Sequence, residues 1–114
     1  MKRVDLFQIL NSIYECYNVG EHVGEIKDPY VVIKYENQIT GVNICGGWQY
    51  VNIFCYAPLY DITILDDMCT DVVATLKSYK DEIEFTGEIT PEIVDDKVKA
   101  YCRRIKYRIP KEVM

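Results

Sequence analysis

The chain has 114 residues, of which 49% are hydrophobic and 27% charged, and its formal net charge is −5. This length and composition are typical of one folded domain, residues 1–114, and argue against a disordered chain. No apolar run approaches the roughly 20 residues that a membrane-spanning helix needs, so a membrane partner is not expected.

The N-terminal segment does not have the pattern of a secretory signal. Lys2 and Arg3 are followed by Asp5 and Gln8, where a signal would have a continuous apolar stretch. We therefore expect the protein to fold in the cytoplasm, where it is made.

An amphipathic helix of about four turns is predicted near the N-terminus, because apolar residues recur there every three or four positions. Those residues are Leu6, Ile9, Leu10, Ile13 and Tyr17. Asn18 and Gly20 are predicted to end the helix, and residues 20–28 to form a polar loop.

Segments rich in β-branched and aromatic residues come next and predict strands. Residues 30–35 form the first, residues 39–45 are compatible with a short second, and residues 48–56 form a long third. Gly46 and Gly47 mark a turn or bulge before the third segment. Because that segment has apolar side chains on both faces, it predicts a central strand covered on both sides.

A second amphipathic helix is predicted from residue 62 or 64 to residue 79. Its apolar stripe consists of Leu65, Met68, Cys69, Val72, Val73 and Leu76. Residues 83–88 and 98–109 then alternate as strands do, with Pro91 and Pro110 as breaks. This order and the short connections predict an α+β fold, an antiparallel-dominated β-sheet packed with two amphipathic helices.

Acidic residues cluster at the start of the second predicted helix, where Asp66 precedes Asp67 and Asp71 on one helix face. Such a carboxylate group is compatible with acid–base catalysis or cation binding, but a solvated helix face explains it better. Neither a base, nor a nucleophile partner, nor a glycine-rich phosphate loop is close in sequence. We therefore predict no catalytic residues.

Cysteine usage argues against disulfides and metal. The chain has five widely spaced cysteines, no CxxC pair and His22 as its only histidine. We expect reduced cysteines, several of them small core residues, with no metal and no cofactor. They are Cys16, Cys45, Cys55, Cys69 and Cys102.

Charge is divided unevenly along the chain. Residues 1–96 hold 6 basic and 17 acidic residues, a balance of −11, whereas residues 97–114 hold 7 basic residues and 1 acidic residue, a balance of +6. In the last predicted strand, alternate side chains point to opposite faces, and Arg104, Lys106 and Arg108 form a row of cations on one of them. Arg103 falls on the other, mostly apolar face, where only a bulge or a contact with a partner would account for an arginine.

Three interpretations of the cation row stay open. The row lines a path for DNA, it complements the acidic body of a neighbouring copy, or it is a solvated sheet edge that resists aggregation. The ten tyrosines of the chain fit an interface as well as ordinary use in strands. We expect the unlike halves of the chain to be satisfied between molecules rather than within one.

The order of several segments carries a family resemblance. They are LFQIL (residues 6–10), PYVV (29–32), GGWQYV (46–51), NIFCYAP (52–58), the helix of residues 64–76 and AYCRRIKYRIP (100–110). In these features, over most of its length, the chain resembles the tail terminator (tail completion, head–tail joining) proteins of long-tailed bacteriophages.

The resemblance implies an α+β structural subunit, not an enzyme, that assembles as a hexameric ring. Such a ring caps the tail tube, stops its polymerisation and docks to the head connector. The implied partners are further copies of the chain, the tail tube protein and connector or neck proteins, with DNA passing only transiently through the lumen. The implied location is the head-proximal end of the virion tail, after assembly in the bacterial cytoplasm.

The resemblance also indicates which residues lie at subunit contacts, partner contacts or the lumen. They are Arg103, Arg104, Lys106, Arg108, Lys111, Gly46, Gly47 and Trp48. Two alternatives stay open: another head–tail adaptor or tail-tube-associated protein, and a small enzyme or ligand-binding module that uses the acidic cluster or a cysteine.

Overall fold

The computed structural model describes residues 1–18, 28–36 and 48–110. The elements in chain order are α1 (Arg3–Asn11), β1 (Glu15–Asn18), β2 (Tyr30–Tyr35), β3 (Trp48–Pro58), α2 (Thr63–Lys77), β4 (Glu84–Ile89), β5 (Ile93–Asp95) and β6 (Ala100–Pro110). The predicted strand at residues 39–45 and most of the predicted loop at 20–28 lie outside the described residues.

The strands form one six-stranded sheet in the order β1-β2-β3-β6-β4, and β5 pairs with β6 beside β4. Among the described strands, β1 and β2 alone run parallel to each other, and the other pairs are antiparallel. The longest pairing joins β3 to β6, from Trp48 opposite Pro110 to Pro58 opposite Ala100. The prediction of an α+β fold with an antiparallel-dominated sheet is confirmed.

Both described helices pack on the same face of the sheet, because each has one apolar stripe to bury. The core between them includes Leu6 and Leu10 of α1, Val51, Ile53, Cys55 and Ala57 of β3, and Leu65, Met68, Cys69, Val72 and Leu76 of α2. The position predicted for β3, at the centre of the sheet, is confirmed. The sequence predicts cover on both sides of β3; among the described elements, α1 and α2 lie on one side, and no described helix lies on the other.

Helix α2 begins where the sequence predicts. The Asp61 carboxylate accepts hydrogen bonds from the Thr63 backbone N–H at 2.9 Å and from the Thr63 hydroxyl at 2.6 Å. A side chain that accepts these bonds satisfies donors that the first helical turn leaves open. The stripe predicted for this helix is buried except for the partly exposed Val73.

Helix α1 is shorter than predicted: it ends at Asn11, and Glu15–Asn18 form the strand β1 instead of a further helical turn. The Asn11 side chain accepts a hydrogen bond from the Cys16 backbone N–H at 3.2 Å, which holds the chain reversal. Pairing with β2 then buries Cys16. Residues 15–18 therefore form a strand although the apolar spacing up to Tyr17 is helical, because pairing with β2 determines their conformation.

Strand β4 contains an irregularity that the sequence pattern did not predict. The pairing with β6 is regular at Glu84 and Phe85, shifts, and resumes at Ile89. Gly87 lies within the shift at a φ of +89°, a conformation that glycine adopts without strain. The short β5 follows Pro91 and was not predicted.

Candidate interaction surface

The sheet face away from α1 and α2 carries aromatic and cationic side chains in register. Because neighbouring residues of a strand point to opposite faces, the even-numbered residues of β3 and β6 share this face. Cross-strand pairs place Tyr50 opposite Arg108, Asn52 opposite Lys106 and Phe54 opposite Arg104. We call it the cation–aromatic face: Tyr30, Val32, Trp48, Tyr50, Asn52, Phe54, Tyr56, Arg104, Lys106 and Arg108.

Two cations of this face lie over aromatic rings. The Arg108 guanidinium carbon is 4.0 Å from the Trp48 ring centroid, and Lys106 Nζ is 4.7 Å from the Tyr50 ring centroid. Cation–π contacts of this kind contribute about 0.5–1 kcal/mol where solvent reaches them. Of the predicted site residues, the structure thus brings Trp48 and Arg108 into contact.

Each cation of the row also has a carboxylate from the same chain. Arg104 pairs with Glu88 at 3.3 Å, Lys106 with Glu36 at 3.2 Å and Arg108 with Glu84 at 2.7 Å. The prediction that this charge is satisfied between molecules is therefore wrong, since three cations meet three carboxylates within the chain.

The position of β6 in the sheet and its ion pairs decide between the interpretations of the cation row. Strand β6 is an interior strand, with β3 on one side and β4 and β5 on the other, so the interpretation as a solvated sheet edge is wrong. Neutralisation of DNA phosphates needs an excess of positive charge, and the paired row does not supply one. The sequence analysis did not identify Glu84 and Glu88 as partners of this row. In the fold, their side chains reach Arg108 and Arg104 on the neighbouring strand β6.

Some polar atoms on the cation–aromatic face are buried without a hydrogen-bond partner among the described residues. They are the Asn52 side-chain oxygen, Arg104 Nε and Arg108 Nε. The Asn52 side chain is only 5% exposed. A buried polar atom without a partner is costly to the fold. Because these atoms are already closed to solvent in the single chain, they do not themselves offer contacts to a second molecule.

The other end of the face is a packed group of tyrosines. The Tyr30 and Tyr56 rings stack with centroids 4.8 Å apart, and the Tyr17 ring meets Tyr30 edge-on at 5.7 Å. Burial raises the pKa of Tyr30 to about 12, so its hydroxyl stays neutral at physiological pH. These three tyrosines pack within the chain, and the group extends the cation–aromatic face as an aromatic surface.

Arg103, a further predicted site residue, does not join the cation–aromatic face. Arg103 lies on the helix-covered face, where it forms ion pairs with Asp66 at 3.4 Å and with Glu92. These two contacts explain why an arginine occupies the apolar parity. Gly46, Gly47 and Lys111 lie outside the described residues.

The acidic cluster of α2 is divided among structural contacts. Asp66 pairs with Arg103, while Asp71 accepts a hydrogen bond from the Tyr14 hydroxyl at 2.6 Å. Within residues 1–18, 28–36 and 48–110, no group of three or more His, Cys, Asp or Glu side chains is arranged to hold a metal ion. His22 lies outside these ranges.

No helix in the described part of the chain is long and apolar enough to cross a membrane.

No family model matches the sequence, and no curated protein matches it either.

Proposed function

We propose that this protein is a non-catalytic structural subunit that assembles through its cation–aromatic face. The observation that carries the proposal is a central sheet with both described helices on one face and a row of aromatic and cationic side chains on the other. Tryptophan, tyrosine and arginine are the residue types that dominate the energetics of protein interfaces.

The face is also pre-organised for binding. Arg104, Lys106 and Arg108 retain only 23–31% of their side-chain exposure and are already held by carboxylates and aromatic rings. A partner therefore neither orders long flexible side chains nor buries unpaired charges when it covers them. Side-chain ordering and burial of unpaired charge commonly weaken charged interfaces. Here the contacts within the chain already order these side chains and pair their charges.

A ring requires two different surfaces on each subunit, because its contacts run head to tail. The outer edge formed by β4 and β5 supplies a candidate for the second surface. Its large apolar side chains are between 37% and 59% exposed: Phe85, Ile89, Ile93 and Val94. An exposed strand edge with apolar side chains is a common site of association.

The specific form of the proposal is a phage tail terminator, a ring that caps the tail tube at the head-proximal end of the virion. It rests on the resemblance in segment order together with the α+β fold and the cation–aromatic face. Its partners are then further copies of the chain, the tail tube protein and the head connector. Another head–tail adaptor would use the same face without closing a ring of its own copies.

The test is the mass of the full-length chain in solution. Light scattering is expected to show a mass that rises with concentration from one chain towards about six, and negative-stain microscopy to show annuli. A mass of one chain at every concentration, with and without tail tube protein, would contradict the proposed function. A mass of one chain that changes only when connector protein is added would favour the adaptor.

A further inference from the structure

An exposed apolar turn joins β3 to α2. Within four consecutive residues, Leu59 is 43%, Tyr60 76% and Ile62 37% exposed, and Asp61 supplies a carboxylate among them. The other exposed large apolar side chains of the described residues are Val4 of α1 and four on β4 and β5. We call residues 59–62 the apolar turn. A contiguous apolar group on a surface is typical of a site where another molecule binds.

Hydrogen bonds hold the apolar turn in one conformation. The Asp61 backbone N–H donates to the Pro58 carbonyl at 3.4 Å, and Asp61 Oδ1 accepts from both the backbone N–H and the hydroxyl of Thr63. The second carboxylate oxygen, Asp61 Oδ2, accepts no hydrogen bond from the described residues. Tyr60 is therefore an aromatic side chain on a rigid turn, with an acceptor beside it, and a partner that binds it orders little chain.

An apolar groove lies between the C-terminal end of α2 and the sheet. Its volume is about 390 Å³, within the range of about 300–1,000 Å³ that is usual for binding pockets. The Phe85 and Tyr107 rings lie side by side in its wall, with centroids 5.5 Å apart. We call it the α2–β4 groove, and its apolar lining consists of Val73, Leu76, Ile83, Phe85 and Tyr107.

The α2–β4 groove carries positive charge that the described residues leave unpaired. Its charged lining residues are Lys77, Lys80 and Glu84. Glu84 pairs with Arg108 at 2.7 Å, whereas the exposed Lys77 and Lys80 form no ion pair with any described residue. A carboxylate next to an apolar side chain is the chemistry that complements such a groove.

The apolar turn and the α2–β4 groove lie at opposite ends of one helix. The turn immediately precedes Thr63, the first residue of α2, and the groove is lined by Leu76 and Lys77 from its last turn. A helix of 15 residues is roughly 22 Å long. The apolar turn therefore cannot fill the groove of its own chain, and only another molecule can bring the two together.

We propose that the apolar turn of one copy docks in the α2–β4 groove of the next copy. Tyr60 enters the groove and packs against Phe85 and Tyr107, as aromatic side chains favour. Asp61 Oδ2 then accepts a hydrogen bond from Lys77 or Lys80, so that each charge gains a partner.

This contact joins two different surfaces and is therefore head to tail, as a ring requires. The inference rests on the proposed function, because it takes the partner to be a second copy of the chain. It deepens that function by naming the residues that meet on the α2 side of the subunit, beside the contact of the cation–aromatic face.

Two variants that each lack one half of the contact test it. Tyr60→Asp removes the aromatic anchor and keeps the groove, whereas Lys77→Glu with Lys80→Glu reverses the charge of the groove and keeps the turn. All three side chains are exposed, so both variants should fold, which circular dichroism checks. A mixture of the two contains one intact turn and one intact groove, and it should form this contact once per pair of chains.

The measurement is an amide NMR titration of the ¹⁵N-labelled, full-length Tyr60→Asp chain with the unlabelled double-lysine variant. We expect saturable shifts of the amides of Lys77, Lys80, Ile83 and Phe85. Unlabelled Tyr60→Asp is the control titrant, and it should leave these amides unshifted because it has no intact turn. Unshifted groove amides in the first titration, or equal shifts in both, overturn the inference.

Light scattering separates this inference from the proposed function. Tyr60→Asp should weaken self-association roughly 30-fold or more, as for an interface hot spot, and Val4→Asp, an exposed apolar residue of α1, should leave it unchanged. If Tyr60→Asp assembles as the unchanged chain does, the inference fails and the proposed function stands. If the unchanged chain keeps the mass of one chain while the groove amides shift in the titration, the contact stands and the proposed ring fails.

Discussion

Replacing Ile53 with alanine is expected to lower the free energy of unfolding by about 2–5 kcal/mol. Ile53 is fully buried in the middle of β3, between Ile33 of β2 and Ile105 of β6. The smaller side chain leaves a cavity beneath the helices, and strands paired on both sides move too little to fill it. Urea unfolding followed by far-UV circular dichroism measures the loss.

Ile93→Ala is the matched control for this substitution. Ile93 lies in a strand too, but its side chain is 59% exposed, so the loss of stability should stay within about 0.5 kcal/mol. If Ile53→Ala destabilised the chain no more than Ile93→Ala, the placement of Ile53 at the centre of the core would be wrong.

Phe54→Glu is expected to abolish assembly while the chain stays folded. Phe54 follows Ile53 but points to the cation–aromatic face, where it is partly buried and lies opposite Arg104. The new carboxylate can pair with Arg104 in the single chain, but it places a charge in the apolar part of the proposed contact. We expect association to weaken roughly 30- to 1,000-fold, as for loss of an interface hot spot.

Light scattering measures this loss, and circular dichroism checks that the variant is folded. Val4→Glu provides the control, because Val4 is an apolar residue of α1, 55% exposed and remote from the cation–aromatic face. It should assemble as the unchanged chain does. A folded Phe54→Glu chain that still assembles would show that association uses another surface.

The elements with long regular patterns were predictable from the sequence. The stripe of α2 runs from Leu65 to Leu76, and the alternation of β3 and β6 extends over eleven residues in each strand. Packing against one core preserves such patterns, so local periodicity and tertiary structure agree.

The end of α1 was not predictable in the same way. Ile13 and Tyr17 continue the helical spacing of the residues before them, yet the chain turns at Asn11 and pairs residues 15–18 with β2. That pairing depends on a segment more than ten residues further along the chain. The local spacing of apolar residues contains no information about this distant segment. Pairing with β2 determines the conformation of residues 15–18.

The candidate surface was predictable in part. Alternation along residues 100–110 placed Arg104, Lys106 and Arg108 on one face, and the pairing of β3 with β6 agrees with that placement. Their carboxylate partners depend on the strand order β3-β6-β4, which joins residues far apart in sequence. The row of cations seen in the sequence is therefore a set of ion pairs within the chain.

In the proposed assembly a second molecule covers the cation–aromatic face, and Trp48 reports on this contact directly because it is the only tryptophan of the chain. The measurement is acrylamide quenching of its fluorescence across the concentration range in which the mass rises. We predict that quenching falls as assembly proceeds and stays high in Phe54→Glu at the same concentrations. Assembly that proceeds with no change in the quenching of Trp48 would contradict the claim.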